Sequence, residues 1–116
     1  MNILIVDDNV DSAEMLSMLM DYHGHSAHVA TTGRQAIDIA GTTALDVVFL
    51  DIGLPDMSGY EVAAELRKIP GLGKAKFVAL TGRGADADKL SAAAASFDHH
   101  VTKPASLERL IEILAG

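Results

Sequence analysis

The sequence predicts a doubly wound α/β domain, in which a five-stranded parallel sheet of order 2-1-3-4-5 is flanked by five helices. Two observations carry this prediction. Short apolar runs without polar alternation, such as residues 47–50, are typical of strands buried on both faces of a parallel sheet. Helix-like segments separate these runs along the whole chain, and right-handed crossovers leave few ways to connect such strands.

The first strand is predicted at residues 2–6, an apolar run that ends on carboxylates. A helix follows over about residues 9–23, where Asp11 and Glu14 suggest a capping box and Gly24 is a natural stop. The face that this helix turns toward the core is predicted to carry Met15, Leu16, Leu19 and Met20.

The sequence patterns that predict the second strand and the second helix are weaker than those of the first strand and first helix. Residues 25–30 alternate in polarity, which predicts a strand with one wetter face; the 2-1-3-4-5 order places this strand at an edge. Thr32 with Gln35 begins a short helix that Gly41 is expected to end.

Strands and helices also alternate in the second half of the chain. The third strand ends at Asp51, and Ser58 with Glu61 caps a helix that stops at Pro70 and Gly71. The remaining predicted elements are a strand at residues 76–80, an alanine-rich helix at 86–96, a short strand at 99–102 and a last helix that begins at Ser106.

Composition indicates one globular domain over residues 1–116, with 49% hydrophobic and 22% charged residues. The net charge of −7 and the scattered positions of the nine Lys and Arg residues argue against direct binding of nucleic acid. The absence of Cys excludes disulfides and thiolate metal sites, which fits a reducing compartment. We find neither a signal peptide nor a membrane-spanning run, so we expect a cytoplasmic protein with no membrane insertion.

Carboxylates are predicted to meet where strands 1 and 3 end side by side, since ligands of open parallel sheets bind at the carboxyl ends of the strands. These ends carry Asp7, Asp8 and Asp51. Carboxylates about 4 to 6 Å apart repel by roughly 3 to 4 kcal/mol per pair at an effective dielectric of about 20, so the cluster implies a cation. All-oxygen ligation with few protein groups favours Mg²⁺ over Zn²⁺ and Ca²⁺.

Two further polar groups are expected at this edge, the Thr81 hydroxyl after strand 4 and the Lys103 ammonium after strand 5. A metal, an ammonium and a hydroxyl around one carboxylate form a phosphoryl-transfer site in which Asp51 attacks as the nucleophile.

The chain resembles the receiver domain of two-component response regulators over essentially its whole length. The resemblance rests on the acidic pair Asp7-Asp8, the run from Leu50 to Gly59 around Asp51, Thr81-Gly82 and Lys103-Pro104, all in the family's order. The spacings, 81 − 51 = 30 and 103 − 81 = 22, are similar to those of compact receivers.

This resemblance implies a signalling domain that catalyses only its own phosphorylation and dephosphorylation. Asp51 would accept a phosphoryl group from the phosphohistidine of a histidine kinase or histidine phosphotransfer domain. Mg²⁺ would be held by Asp8, Asp51 and the backbone carbonyl of Gly53, with Asp7 acting on the metal directly or through water. A cis peptide between Lys103 and Pro104 would aim the lysine into the site.

The resemblance also implies a switch. Phosphorylation would draw Thr81 and Lys103 toward the new oxygens and change the face formed by predicted helix 4, strand 5 and helix 5, where a downstream protein partner would bind. Three residues before the lysine, where the family generally has Tyr or Phe as a switch residue, this chain has His100. Gly53 places no side chain beside the phosphoryl group, and Arg83 is a candidate to reach that group instead.

Other interpretations stay open from the residues alone. Asp7 and Asp8 could merely cap the following helix, and Asp56 reads as a turn residue with at most a minor electrostatic role. The five histidines match no zinc motif. The alternative functions are an aspartyl-phosphate-forming phosphohydrolase, although position 53 lacks the second Asp of a D-x-D nucleophile motif, and a degenerate receiver that acts only as an interaction module.

Overall fold

The computed structural model describes residues 1–54, 56–72, 74–81, 97–102 and 106–115, and its strands form one parallel sheet. The strands are β1 (Asn2–Val6), β2 (Ser26–Ala30), β3 (Val47–Asp51), β4 (Lys76–Thr81) and β5 (His99–Thr102). The helices within the described residues are α1 (Val10–Tyr22), α2 (Gly33–Thr42), α3 (Gly59–Arg67) and α4 (Leu107–Ala115).

The strand order is β2-β1-β3-β4-β5 and every neighbouring pair is parallel, which confirms the predicted sheet and its polar edge strand. The predicted helix at 86–96 lies outside the described residues, so the fifth helix stays a prediction and α4 is the predicted last helix. Across the described ranges, no helix combines the length and apolarity needed to span a membrane.

Two apolar layers cover the sheet. α2 and α3 pack on the face that includes Leu4, Val6 and Phe77, whereas α1 and α4 pack on the face that includes Ile3 and Phe49. Residues 3–6 and 47–50 are at most 2% exposed, so both central strands are buried on both faces, as their unbroken apolar runs predict.

The predicted caps match the starts of α2, α3 and α4 and the end of α1, whereas α3 ends at Arg67, before its predicted stop at Pro70 and Gly71. The Ser58 hydroxyl accepts a hydrogen bond from the Glu61 N–H at 3.2 Å at the start of α3. Gly24, with φ +87°, follows the end of α1 in the left-handed region that glycine tolerates. α2 begins as predicted after Thr32 but continues through Gly41 to Thr42, so the predicted stop at Gly41 is wrong. A glycine with an ordinary φ costs a helix some stability without ending it.

Two predictions about α1 are wrong. Its N-cap is Asn9, whose side chain accepts a hydrogen bond from the Ser12 N–H at 3.1 Å, so Asp11 and Glu14 do not form the expected capping box. Met20 is buried as predicted, but the Met15 side chain is 66% exposed. Met15 follows the buried Ala13 by two residues, which places it on the opposite side of a helix with 3.6 residues per turn.

Candidate functional site

Three carboxylates meet at the carboxyl ends of β1 and β3, as predicted. One oxygen from each of Asp7, Asp8 and Asp51 lies within 4.8 Å of the others. The parallel register pairs Val6 with Leu50, so the residues that follow them fall side by side. Asp7 and Asp51 are only 4% and 9% exposed, whereas Asp8 is exposed. The cluster is therefore a pocket with two carboxylates set into the protein and one at its rim.

Backbone hydrogen bonds orient the buried carboxylates. The Asn9 N–H donates to Asp7 Oδ1 at 3.0 Å, and the Gly53 N–H donates to Asp51 Oδ1 at 2.9 Å. The Ile52 N–H donates to the Leu80 carbonyl at 3.2 Å, which ties the chain after Asp51 to β4. Gly53 therefore lies against the Asp51 carboxylate. The predicted metal ligand at this position is the backbone carbonyl of Gly53.

The donor chemistry of this pocket suits a hard cation. All three side chains offer carboxylate oxygens, the ligand type that Mg²⁺ prefers. Within the ranges that the structure describes, this is the only group of at least three His, Cys, Asp or Glu side chains placed to share one ion. Among these same residues, no histidine belongs to such a group.

Thr81 ends β4 at the same edge of the sheet. Its neighbour Leu80 pairs with Asp51, and Thr81 itself pairs with Thr102 at the end of β5. Thr81 is 5% exposed, so it is buried at the carboxyl end of β4. Three predicted features of the site lie outside the described residues: the Lys103 ammonium, the cis peptide before Pro104 and the Arg83 guanidinium.

His100 belongs to a row of three rings that the sequence did not indicate. Its ring lies 5.7 Å from that of Phe97 at 61°, and Phe97 lies 5.9 Å from Tyr60 at 74°, both edge-to-face contacts. Phe97 is buried, and burial raises the pKa of Tyr60. In β5, His100 pairs with Ala79, two residues before Thr81. The two predicted switch positions therefore lie on neighbouring strands, two residues apart in register.

Asp56 has a larger structural role than the sequence suggested. Its carboxylate accepts hydrogen bonds from the Gly33 N–H at 2.9 Å and the Arg34 N–H at 3.1 Å. An Asp in a turn often binds backbone N–H groups, but usually those of its own turn. Here the partners lie more than twenty residues earlier in the chain, so local spacing carries no signal of this contact.

Comparison with known families agrees with this geometry. The family model described as the response regulator receiver domain matches residues 3–115. The chain belongs to this family. It is a receiver domain of the two-component response regulators, which are signalling proteins, and the family predicted from the sequence is confirmed.

Two curated relatives illustrate how much of a regulator this receiver domain matches. It is 41% identical over 110 residues to the probable transcriptional regulatory protein TcrX of Mycobacterium tuberculosis, covering 94% of this chain and 46% of TcrX. It is 33% identical over 110 residues to the uncharacterized transcriptional regulatory protein YkoG of Bacillus subtilis, covering 95% of this chain and 47% of YkoG. The chain thus spans about half the length of these relatives.

Solved receiver structures share the fold. A CheY-like receiver domain from Methylobacillus flagellatus superposes with a TM-score of 0.88 at 33% identity, covering 98% of this chain and 95% of that one. The response regulator TrrA from Thermotoga maritima gives 0.84 at 30% identity, covering 98% and 96%, and was solved in complex with Mg(2+)-BeF. With the observed strand order, these neighbours confirm the flavodoxin-like sheet predicted from the sequence.

Proposed function

We propose that this receiver domain accepts a phosphoryl group on Asp51 from the phosphohistidine of a histidine kinase or histidine phosphotransfer domain, and that the reaction depends on Mg²⁺. The observation that carries this proposal is the convergence of the Asp7, Asp8 and Asp51 carboxylates at the switch point of a receiver sheet. The phosphorylated domain then changes which protein partner it binds.

Each residue has a role in this reaction. An Asp51 oxygen forms a bond to phosphorus while the bond from phosphorus to the donor's imidazole nitrogen breaks. Asp8, Asp51 and the Gly53 carbonyl hold the metal, with Asp7 acting on it directly or through water. Bound Mg²⁺ supplies positive charge that offsets the negative charge of the carboxylates and phosphoryl oxygens. The Thr81 hydroxyl and the Lys103 ammonium donate to those oxygens.

The domain catalyses only its own phosphorylation and dephosphorylation. A phosphohydrolase of the D-x-D type needs a second carboxylate two residues after the nucleophile, and this chain has Gly53 there. The three acidic side chains disfavour a degenerate receiver, because such a domain has no use for a carboxylate cluster that must be held together against its own repulsion.

The phosphodonor protein must cover the edge of the sheet that carries Asp51. α1 begins two residues after Asp8 and exposes apolar side chains, including Met18 at 71% and Tyr22 at 85%. Exposed apolar groups grouped on one helix are typical of a protein contact surface. We assign this face of α1 to the histidine kinase or phosphotransfer domain, which would meet the receiver in the cytoplasm without contact to nucleic acid.

The proposed output involves a second surface of the domain. Phosphorylation draws Thr81 and Lys103 toward the new oxygens and changes the face formed by the predicted helix at 86–96, β5 and α4, with His100 as the second switch residue. The contact between His100 and Phe97 supports this role, because it links β5 to the core beside α3.

Incubation with acetyl phosphate and Mg²⁺ tests the proposal. Intact-protein mass spectrometry should show the addition of one phosphoryl group, and Asp51→Asn should abolish it because an amide cannot attack phosphorus. Asp38→Asn is the matched control, since it changes the same functional group at an exposed position in α2.

An unchanged mass in the wild-type protein, under conditions that label another receiver, would contradict the proposal. Continuous turnover of small phosphate esters that disappears in Asp51→Asn would instead support the phosphohydrolase.

A further inference from the structure

Asp56 joins two segments that both border the acidic pocket. It lies between β3 and α3, three residues after Gly53, and its carboxylate binds the first two N–H groups of α2. The chain that leads into α2 also contacts the pocket, because the Asp7 N–H donates to the Ala30 carbonyl at 3.0 Å. Asp56 therefore connects the segment beside Asp7 with the loop that follows Asp51.

These bonds complete the first turn of α2. The N–H groups at the start of a helix have no partner within it. The Gln35 N–H donates to Thr32 Oγ at 3.1 Å, and the ordinary helix bonds begin with the Ala36 N–H, which donates to the Thr32 carbonyl at 3.1 Å. The N–H groups of Gly33 and Arg34, which precede Gln35, donate to Asp56. The start of α2 thus depends on the loop after β3.

The contact around these bonds is tight. A Cβ at Gly33 would lie 2.7 Å from Val62 Cγ2 and 3.1 Å from Met57 Sδ, so the helix start lies directly against the loop and α3. The two ends of the same loop are held near β3, since the Gly53 N–H donates to Asp51 and the Gly59 N–H donates to the Ile52 carbonyl at 2.9 Å. Asp56 fixes the part of the loop between them.

We propose that Asp56 is a positioning residue of the phosphorylation site, which sets the path of the loop after β3 by binding the N-terminus of α2 and thereby fixes Gly53 against Asp51. This proposal rests on the proposed function. Asp56 touches neither the metal nor the phosphoryl group; it acts through Gly53, whose N–H binds the nucleophile and whose carbonyl is the predicted metal ligand. Coupling of this kind is reciprocal, so a ligand at Asp51 also changes the bonds at Gly33 and Arg34.

The test compares Mg²⁺ binding to the wild-type chain, Asp56→Ala, Asp56→Asn and Asp38→Ala by calorimetry, with the Gly53 amide followed in ¹⁵N–¹H spectra. Residues that orient metal ligands typically contribute a factor of about ten in metal affinity, which is the loss we expect for Asp56→Ala. Asp56→Asn should lose less, because its carbonyl oxygen still accepts one of the two N–H groups. Asp38→Ala removes the same charge from an exposed position on α2, and this variant should bind Mg²⁺ like the wild type.

The outcomes separate the two proposals. If the wild type does not bind Mg²⁺, the proposed function fails. If the wild type binds Mg²⁺ and Asp56→Ala binds it equally well with an unshifted Gly53 amide, the positioning role is overturned. If Asp38→Ala loses as much Mg²⁺ affinity as Asp56→Ala, the role is also overturned, because the loss then comes from the removed charge alone. Should Asp56→Ala fail to give a folded spectrum, Asp56→Asn decides: wild-type affinity with a wild-type Gly53 amide would overturn the role.

Discussion

At the scale of single residues, Gly59 determines how closely α3 approaches Asp51, the proposed phosphoacceptor. A Cβ at this position would lie 2.6 Å from Ile52 Cα, 2.8 Å from the Asp51 carbonyl oxygen and 2.9 Å from Ile52 Cδ1. Two of these atoms belong to the backbone and cannot rotate away. A side chain at position 59 would therefore push the first turn of α3 away from the end of β3.

We expect Gly59→Ala to lower the free energy of unfolding by about 1–3 kcal/mol, the usual cost of forcing extra atoms into a packed site. Gly41→Ala is the matched control, because it makes the same change inside α2 where a Cβ would meet no atom within 4 Å. The control should stabilise the protein by about 0.5–1 kcal/mol. Urea unfolding followed by circular dichroism measures both, and a stabilising effect of Gly59→Ala would contradict the steric role.

At the scale of elements, α2 depends on a carboxylate from another part of the chain. The hydrogen bond from the Gly33 N–H lowers the pKa of Asp56 from its ordinary value of 3.8 and outweighs the opposite effect of desolvation. A lowered pKa in the folded protein means that the charged form stabilises the fold. That stabilisation is fully present above the unfolded pKa and is lost as the pH falls through the folded value.

The difference in unfolding free energy between the wild type and Asp56→Asn should therefore be constant near neutral pH and shrink as the pH falls below 3.8. Asn cannot titrate, so its own stability carries no contribution from this position. Urea unfolding of both proteins at a series of pH values measures the difference. If this difference in unfolding free energy stays constant down to the lowest pH of the series, the charge of Asp56 does not stabilise α2.

At the scale of the whole molecule, a continuous set of contacts leads from Asp51, the proposed phosphoacceptor, to β5. Gly59 lies against Asp51 and Ile52, and Tyr60 follows it in the first turn of α3. Tyr60 contacts Phe97, and Phe97 contacts His100. If the proposed phosphorylation of Asp51 shifts α3, packed side chains connect that shift to the predicted output face.

Addition of Mg²⁺ and beryllofluoride, which stands in for the phosphoryl group, should change the NMR signals of both Gly53 and the His100 ring. Phe97→Leu should weaken the change at His100 and leave the change at Gly53, because it removes the middle ring of the row. Tyr22→Leu is the control, since it removes an aromatic ring that is 85% exposed on α1. Changes confined to the surroundings of Asp51 would exclude the long-range switch.

Several features of this protein follow from its sequence because their causes act over a few residues. The unbroken apolar runs at 3–6 and 47–50 determine central strands buried on both faces. The hydroxyls of Thr32 and Ser58 determine where α2 and α3 begin. Parallel strands align their carboxyl ends, and so the meeting of Asp7, Asp8 and Asp51 was also predictable from where the runs stop.

Only the tertiary structure decided which distant segments touch. Asp56 binds the start of α2, and Phe97 joins Tyr60 to His100. Neither contact has a periodic signal or a local capping signal, since each depends on how a loop or helix lies against an element far away in the chain. The physical reason is that apolar periodicity and caps specify local backbone structure, whereas such pairings are set by the packing of the whole domain.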